Sequence, residues 1–519
     1  MLSLTITITA FAQISLVKNL NPTTNNGIFN EIIVFNNRVY FAGNNSSNGI
    51  NWELFASDGT NAGTVLVKEI SPGTNSGGGP QEFYVWSNTN ELYFSANGGS
   101  SATNTELWKT DGTTSGTVKV SEFDPAGSGS PSDIIGFNNN LYMMIREGSI
   151  GYELGKSNGT LAGSTILKDI RPGNLSSTPR DFFIFNNKLY FAANDGLPGR
   201  ELWTTNGTTA GTVVFKDINN NGGSNPTEFT AFNGMFYFSA ETVANGRELW
   251  RSNGTAAGTV LVQDINSGTA NSSPENLTVF NNRLYFTATT SIFGKELYYI
   301  GTTGGVALAQ DIQPLAASSN PSDLYVFNGK LYFTAGDGVN GRELWVSDGT
   351  IPGTVMLKDI NPSGSSNPKN FKEYNGRLYF SANNTLWSTD GTTAGTVQIP
   401  NSPDEPENLV VLNDLLLFKA DGGTGIGREL YSYTDPSLSV ADLDMESNIK
   451  VYPNPVLERF SVESLVDIER LDIYDLLGKK VKTFENSRDY YNIEDLANGA
   501  YILKVKSDRG TSSIKLIKD

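Results

Sequence analysis

The element Leu-Tyr-Phe, or a close variant, returns nine times along this chain. Its copies begin at Val39, Leu92, Leu141, Leu189, Phe236, Leu284, Leu331, Leu378 and Leu416. A second element, Glu-Leu-Trp or its variants, follows each time, with its Leu at 54, 107, 154, 202, 249, 297, 344, 386 and 430. Those spacings, 53, 47, 48, 47, 48, 47, 42 and 44 residues, leave room for one small supersecondary unit per copy. A chain built this way buries its apolar faces only by stacking neighbouring units against one another.

Within residues 323–360, "DLYVFNGKLYFTAGDGVNGRELWVSDGTIPGTVMLKDI", four apolar segments of four to six residues carry the Tyr, Phe, Val and Leu enrichment of strands. Asn328-Gly329 between the first two and Asp348-Gly349 between the last two predict tight type I′ hairpins, because both pairs accept positive φ at low cost. Each copy is therefore expected to be a four-stranded antiparallel meander, strands a to d. "KLYF" and "ELWV" are apolar on both faces, so they need cover on both sides. The expected fold is all-β: a closed β-propeller of about nine four-stranded blades over residues 13–434, or eight if one divergent copy fails to form a blade. A β-solenoid or a beads-on-a-string array is the alternative. The ninth copy, 408–434, stops after strand c, while "ISLVKNLNP" at 14–22 reads like a solitary strand d. The two are expected to pair and close the ring, which removes open sheet edges.

Composition narrows the chemistry. The chain has 519 residues, no Cys, no His and a formal net charge of −17. Cysteine nucleophiles, Ser-His-Asp triads and His- or thiolate-ligated metals are excluded, leaving carboxylate pairs and oxygen-ligated cations. The negative field makes nucleic acid and anionic lipid poor partners. No apolar run approaches the roughly 20 residues of a membrane-spanning helix.

The string E-L-W-x-x-D-G-T, present as "ELWKTDGT" (106–113) and "ELWVSDGT" (343–350) and relaxed at 53–60, 201–208 and 248–255, resembles the ELWxxDGT repeat proteins of Bacteroidetes-type bacteria. The resemblance covers residues 14–434 and implies an exported repeat protein without an assigned activity. The third copy places Gly155 where Trp is expected, and the sixth reads "ELYYIGTTGG" (296–305), so these two blades are expected to be looser.

After an acidic linker at 435–448 the repeats end. Residues 449–519 hold 12 Lys+Arg and 12 Asp+Glu, so the whole charge lies upstream (25 minus 42). Their alternating pattern suits a small antiparallel β-sandwich. This stretch closely resembles the type A sorting domain of type IX secretion cargo, through Tyr452, Pro453, Asn454 and Pro455, Asp475 and Gly478, Leu496, Gly499 and Tyr501, and Lys515. The resemblance implies passage to the periplasm, recognition by the type IX machinery, removal of the domain, and release or attachment at the cell surface. Residues 1–12 fit a truncated signal peptide cleaved between Ala12 and Gln13.

Comparison between copies sorts the recurring residues. The Asp of D-G-T becomes Asn158, Asn206 and Asn253 elsewhere, which keeps turn chemistry and loses the charge. Asp348 and Gly349 are therefore expected to be structural. Trp108, Trp203, Trp250, Trp345 and Trp387 sit in strands apolar on both faces and are expected to pack between blades rather than stack on sugar rings. The Glu preceding Leu recurs in eight copies, whereas a glycosidase needs one asymmetric pair. It too is expected to be structural. No catalytic, cofactor or metal residue is assigned; "DGVNGRE" and "NDGLPGRE" hint at Ca²⁺ but lack the spacing of a calcium loop. The expected function is a non-enzymatic exported scaffold binding glycan or protein through its variable b–c and d–a loops. The alternatives are a carbohydrate-active enzyme, for which Asp404, Glu405 and Glu407 in a Pro-rich surface loop are candidates, and a purely structural surface component.

Overall fold

The computed structural model describes residues 13–519 apart from 24, 47–50, 73–76, 100–103, 198, 424, 436–448, 465–467, 476–479, 486–487 and 508–509. The fold is all-β, and it divides into a repeat unit, Ile14–Ser432, and a C-terminal unit from Tyr433 onward. Among the described residues no helix is long and apolar enough to cross a membrane.

The repeat unit holds nine four-stranded antiparallel sheets among the described residues. Eight follow chain order, as in Ser322–Phe327, Lys330–Gly336, Arg342–Ser347 and Val355–Lys358, strands a to d of the seventh sheet. The remaining sheet joins Asp404–Leu412, Leu415–Asp421 and Arg428–Thr434 to Gln13–Lys18, so the N-terminal strand supplies the missing strand d as expected. Strand a of each sheet lies beside strand a of the next, and Ile28–Phe35 lies beside Asp404–Leu412.

In the second sheet Trp86 and Glu91 close a longer a–b turn, whereas in seven sheets this turn is a two-residue loop with positive φ at both positions, as at Asn328 (45°) and Gly329 (69°), closed by the Phe327–Lys330 pair. That is the type I′ geometry whose twist matches the strands. The c–d connections differ from expectation. Strand c ends at Ser347 and strand d begins at Val355, and of Asp348 and Gly349 only the glycine has positive φ. The reason is side-chain hydrogen bonding: Asp348 Oδ1 accepts from the N–H and hydroxyl of Thr350, and Thr350 Oγ1 accepts from Gly353 N. These bonds stabilise a longer loop that a two-residue turn cannot accommodate.

That loop reaches the preceding sheet. Thr114, Thr209 and Thr393 donate their hydroxyls to the carbonyls of Val67, Leu167 and Leu357. A Cβ on Gly207, at φ 92°, would stand 2.5 Å from the Tyr142 hydroxyl of the sheet before, so only glycine fits there. The apolar surfaces meet in the same way: Trp345 packs with Phe280, Tyr285 and Leu297 of the preceding sheet. Each fully buried side chain of the Leu331-Tyr332-Phe333 type contributes about 1.5–3 kcal/mol.

The C-terminal unit pairs a three-stranded sheet, Ile449–Tyr452, Arg459–Ser464 and Tyr491–Asn492, with a four-stranded one, Lys480–Glu485, Ile468–Tyr474, Gly499–Ser507 and Gly510–Lys518. Phe460 and Tyr491 of the first share one core with Leu471, Phe484, Leu503 and Leu516 of the second.

Candidate functional site

The recurring glutamate is fully engaged inside its own sheet. Glu343 Oε2 accepts from Ile360 N at 2.8 Å and from the Ser366 hydroxyl at 2.6 Å, while Oε1 accepts from Ser366 N at 2.8 Å. These N–H groups belong to the d–a connection, beyond the end of strand d at Lys358, and Ser366 N also donates to Arg342 O at 3.1 Å. Glu153, Glu201, Glu248 and Glu296 repeat the arrangement with Ser177, Ser224, Ser272 and Ser319. Glu53 takes Ile70 N and Ser71 N, and Glu106 takes Phe123 N, Asp124 N and Gly129 N. Burial pushes the carboxyls of Glu53, Glu153, Glu201, Glu248 and Glu296 up, against the lowering effect of these bonds. In the eighth sheet Thr385 replaces the glutamate, and the Ser402 hydroxyl accepts from Leu386 N, as the Ser121 hydroxyl does from Leu107 N beside Glu106.

The aromatic positions are also internal. Trp108, Trp203 and Trp345 are buried, as are Tyr298 and Tyr431, and the Trp345 indole donates to Ala335 O at 2.9 Å while stacking on Phe333. Trp250 and Trp387 are half-buried, a departure from the uniform packing expected of the set. Asn158, Asn206 and Asn253 make the same loop bonds as Asp348, so charge is not required at that position.

Asp404, Glu405 and Glu407 are not in a surface loop. They open strand a of the last sheet, where Glu405 and Glu407 pair with Arg428 and Glu407 also approaches Lys419 at 3.6 Å. Arg428 of strand c, whose residue type recurs before Glu at Arg200, Arg247 and Arg342, holds Glu405 and Glu407 by these ion pairs. Asp337 of the "DGVNGRE" loop is occupied by Val339 N, Asn340 N and the Asn340 amide. Among the described residues no three carboxylates converge as a metal site.

A feature that sequence reasoning missed lies at the start of strand a. Glu82, Asp133, Asp181, Glu228 and Asp323 occupy one equivalent position, each at φ between 54° and 62°, with Asn276, Asn370 and Asn408 in other sheets. With Glu31, the first three line a hollow of about 410 Å³ floored by Phe83 and Tyr84. Some of these carboxylates tie one sheet to the next: Glu31 accepts from Phe83 N, Glu82 from Asp133 N and Glu228 from Asn276 N. Burial pushes the carboxyls of Glu82, Asp133, Asp181 and Glu228 up, and neighbouring carboxylates add to it for Glu82, Asp181 and Glu228. The signal was present as Pro-x-Asp/Glu/Asn, from Pro80-Gln81-Glu82 to Pro406-Glu407-Asn408, inside segments that otherwise vary.

Meander topology puts this acidic rim on the face that carries the b–c and d–a connections. At the tips of four successive b–c loops stand Leu197, Val243, Ile292 and Val339, 79%, 63%, 66% and 86% exposed. Aliphatic side chains so exposed at equivalent positions form a repeated surface feature rather than a scattered one.

In the C-terminal unit, Asn454 bonds the final strand twice: its Nδ2 donates to Lys515 O at 2.7 Å and its Oδ1 accepts from Ile517 N at 2.9 Å. Tyr501 donates to Ala497 O, and Leu496 packs on the core. Tyr452 is exposed, and Asp475 directly follows the strand Ile468–Tyr474. Gly478 and Ala12 lie outside the described residues; Gln13 begins the N-terminal strand.

Residues 450–519 match the family described as the Secretion system C-terminal sorting domain. This marks the protein for export to the cell surface or the medium, with the type IX machinery as a partner. Comparison with curated proteins gave no match. Among solved structures, the chain is similar to the extracellular domain of BT4673 from B. thetaiotaomicron, at 10% identity and a TM-score of 0.33 over 95% of this chain and 82% of that one. It is also similar to PorZ, a surface component of the type IX secretion system of Porphyromonas gingivalis, at 12% identity and a TM-score of 0.21 over 94% and 86%. A puromycin hydrolase matches at 12% identity and a TM-score of 0.34 over 57% of this chain, which spans 48% of that protein's length.

Proposed function

We propose that this chain is an exported binding or adhesion scaffold for glycan or protein, without enzymatic activity, whose repeat unit is a closed nine-bladed propeller of ELWxxDGT type. Closure is supported by the strand-a neighbours running from sheet to sheet and by Gln13–Lys18 joining the last sheet. The observation that carries the binding reading is a contrast. The residues that recur, Glu343 and Trp345 and their equivalents, are consumed in holding the sheets, while Leu197, Val243, Ile292 and Val339 project from the loops where copies differ. The C-terminal unit directs delivery and is removed after passage, leaving the propeller at the surface or released.

The rival reading, a carbohydrate-active enzyme, has one observation in its favour: Glu31, Glu82, Asp133 and Asp181 line a single hollow. Full-length protein and a Leu197→Asp/Val339→Asp variant should be screened against glycans and extracellular proteins, with hydrolysis of each polysaccharide followed in parallel. A ligand lost in the double variant supports the scaffold. Turnover that depends on Asp133 or Asp181 replaces it with the enzyme, and silence in every assay leaves a structural component.

A further inference from the structure

The sixth sheet breaks the pattern on the opposite face. In the other chain-ordered sheets seven residues join strands c and d, as at 348–354, whereas here strand c ends at Gly301 and strand d begins at Val306. Where the longer loop would have lain there is a hollow of about 440 Å³. Its wall includes Asn282, Arg283, Tyr299, Thr302 and Thr303, and no Asp or Glu among the described residues, in a chain of net charge −17.

Arg283 dominates this hollow. Its guanidinium lies 4.2 Å above the Tyr299 ring, and Nη1 donates to Gly349 O of the seventh sheet at 2.7 Å, with the Tyr285 hydroxyl at 3.4 Å. Stacking and that single strong bond hold the plane in place, while Nε and Nη2 carry no hydrogen bond among the described residues. A fixed guanidinium with two free donors on one edge matches a planar or tetrahedral anion in bidentate fashion. Arg251 of the fifth sheet brings Nη1 to 3.9 Å from where a Cβ on Gly304 would stand, adding a second cation beside the same hollow.

The geometry points to a site for an acidic saccharide, its carboxylate or sulfate on Arg283 and its hydroxyls on the Asn282 amide and the Thr302 and Thr303 side chains. Amides and hydroxyls around one aromatic ring suit a hydroxyl-rich ligand better than an apolar one. This rests on the binding-scaffold reading but places the ligand away from the b–c loop tips.

The test is calorimetric titration of the full chain with oligogalacturonate, a sulfated galactan oligomer, methyl-esterified oligogalacturonate and poly-glutamate. Binding of either acidic saccharide is expected, at least tenfold weaker for the esterified form and for Arg283→Gln, with the melting temperature of the variant recorded alongside. Whether uronate or sulfate binds more tightly identifies the source of the anion. Asn282→Gly, which copies the Asn328-Gly329 turn and so preserves the fold, should weaken binding several-fold if Arg283→Gln proves unstable. Equal binding of poly-glutamate, no binding of either saccharide, or binding indifferent to both substitutions overturns the site. If ligands found by the broader screen still bind the Arg283→Gln protein, the scaffold reading stands without it.

Discussion

The backbone N–H of Asn21 donates to Glu429 Oε1 at 3.1 Å, joining residues 408 positions apart in the chain. With Leu20 N on Oε2 at 3.2 Å, this bond fastens the N-terminal segment to the last sheet. Among the described residues the serine hydroxyl that assists Glu343 has no counterpart at Glu429, and burial pushes the Glu429 carboxyl up to about 7. Because the folded form then holds its proton more tightly than the unfolded chain, its contribution to stability is largest below pH 4.5 and is lost as pH rises toward 7. The full difference is at most about 3 kcal/mol. Urea unfolding from pH 5 to pH 8 should show stability falling with pH, and Glu429→Gln should flatten the slope. The other raised carboxyls, those of the recurring glutamates and of the acidic rim, act in the same direction, so the comparison between the two proteins isolates Glu429.

Deleting residues 13–21 should increase self-association relative to the intact chain. The deletion exposes the edge of Arg428–Thr434, whose N–H and C=O groups then seek another strand. Light scattering measures the change, and a synthetic peptide of residues 13–22 added in trans should reverse it. A deleted protein that associates no more than the intact chain without the peptide would show that the strand is dispensable for closure.

Glu343→Ala strands two buried donors, Ile360 N and the Ser366 hydroxyl, while Ser366 N keeps Arg342 O at 3.1 Å, and should cost on the order of 3 kcal/mol in urea unfolding. Glu343→Gln keeps one carbonyl acceptor and should cost less. An alanine variant as stable as the parent would remove the structural role assigned to this position and reopen the functional one.

Much of this was legible because several copies of one pattern act as mutual controls. The two-sided apolar strands, the Asn-Gly turns and the pairing of residues 14–22 with the ninth copy all follow from local chemistry repeated in order. Asp348-Gly349 misled because dipeptide chemistry favours a tight hairpin, while Thr350 and Thr354, farther along, hold open a longer loop. The acidic rim was hidden for a different reason. Glu82, Asp133 and Asp181 follow variable Ser/Gly/Pro segments, and only the fold brings them from separate sheets to one hollow. The Arg283 hollow depends on a deletion, and what a missing loop uncovers is visible only once its neighbours are placed.

The tryptophans separate packing from exposure within one protein. Trp345 is buried, stacks on Phe333 with ring centres 6.4 Å apart, and donates to a backbone carbonyl, so Trp345→Ala should cost about 3–5 kcal/mol. Trp387 is half-buried and its indole reaches only the Thr385 hydroxyl two residues away, so Trp387→Ala leaves a smaller cavity and should cost clearly less. Unfolding both variants in urea gives the two values directly. The order matters more than either number: Trp387 proving as costly as Trp345 would mean that the sheets bear on the eighth strand c more heavily than its exposure implies, and loss of saccharide binding in a fully stable Trp345→Ala protein would return these aromatic rings to the ligand.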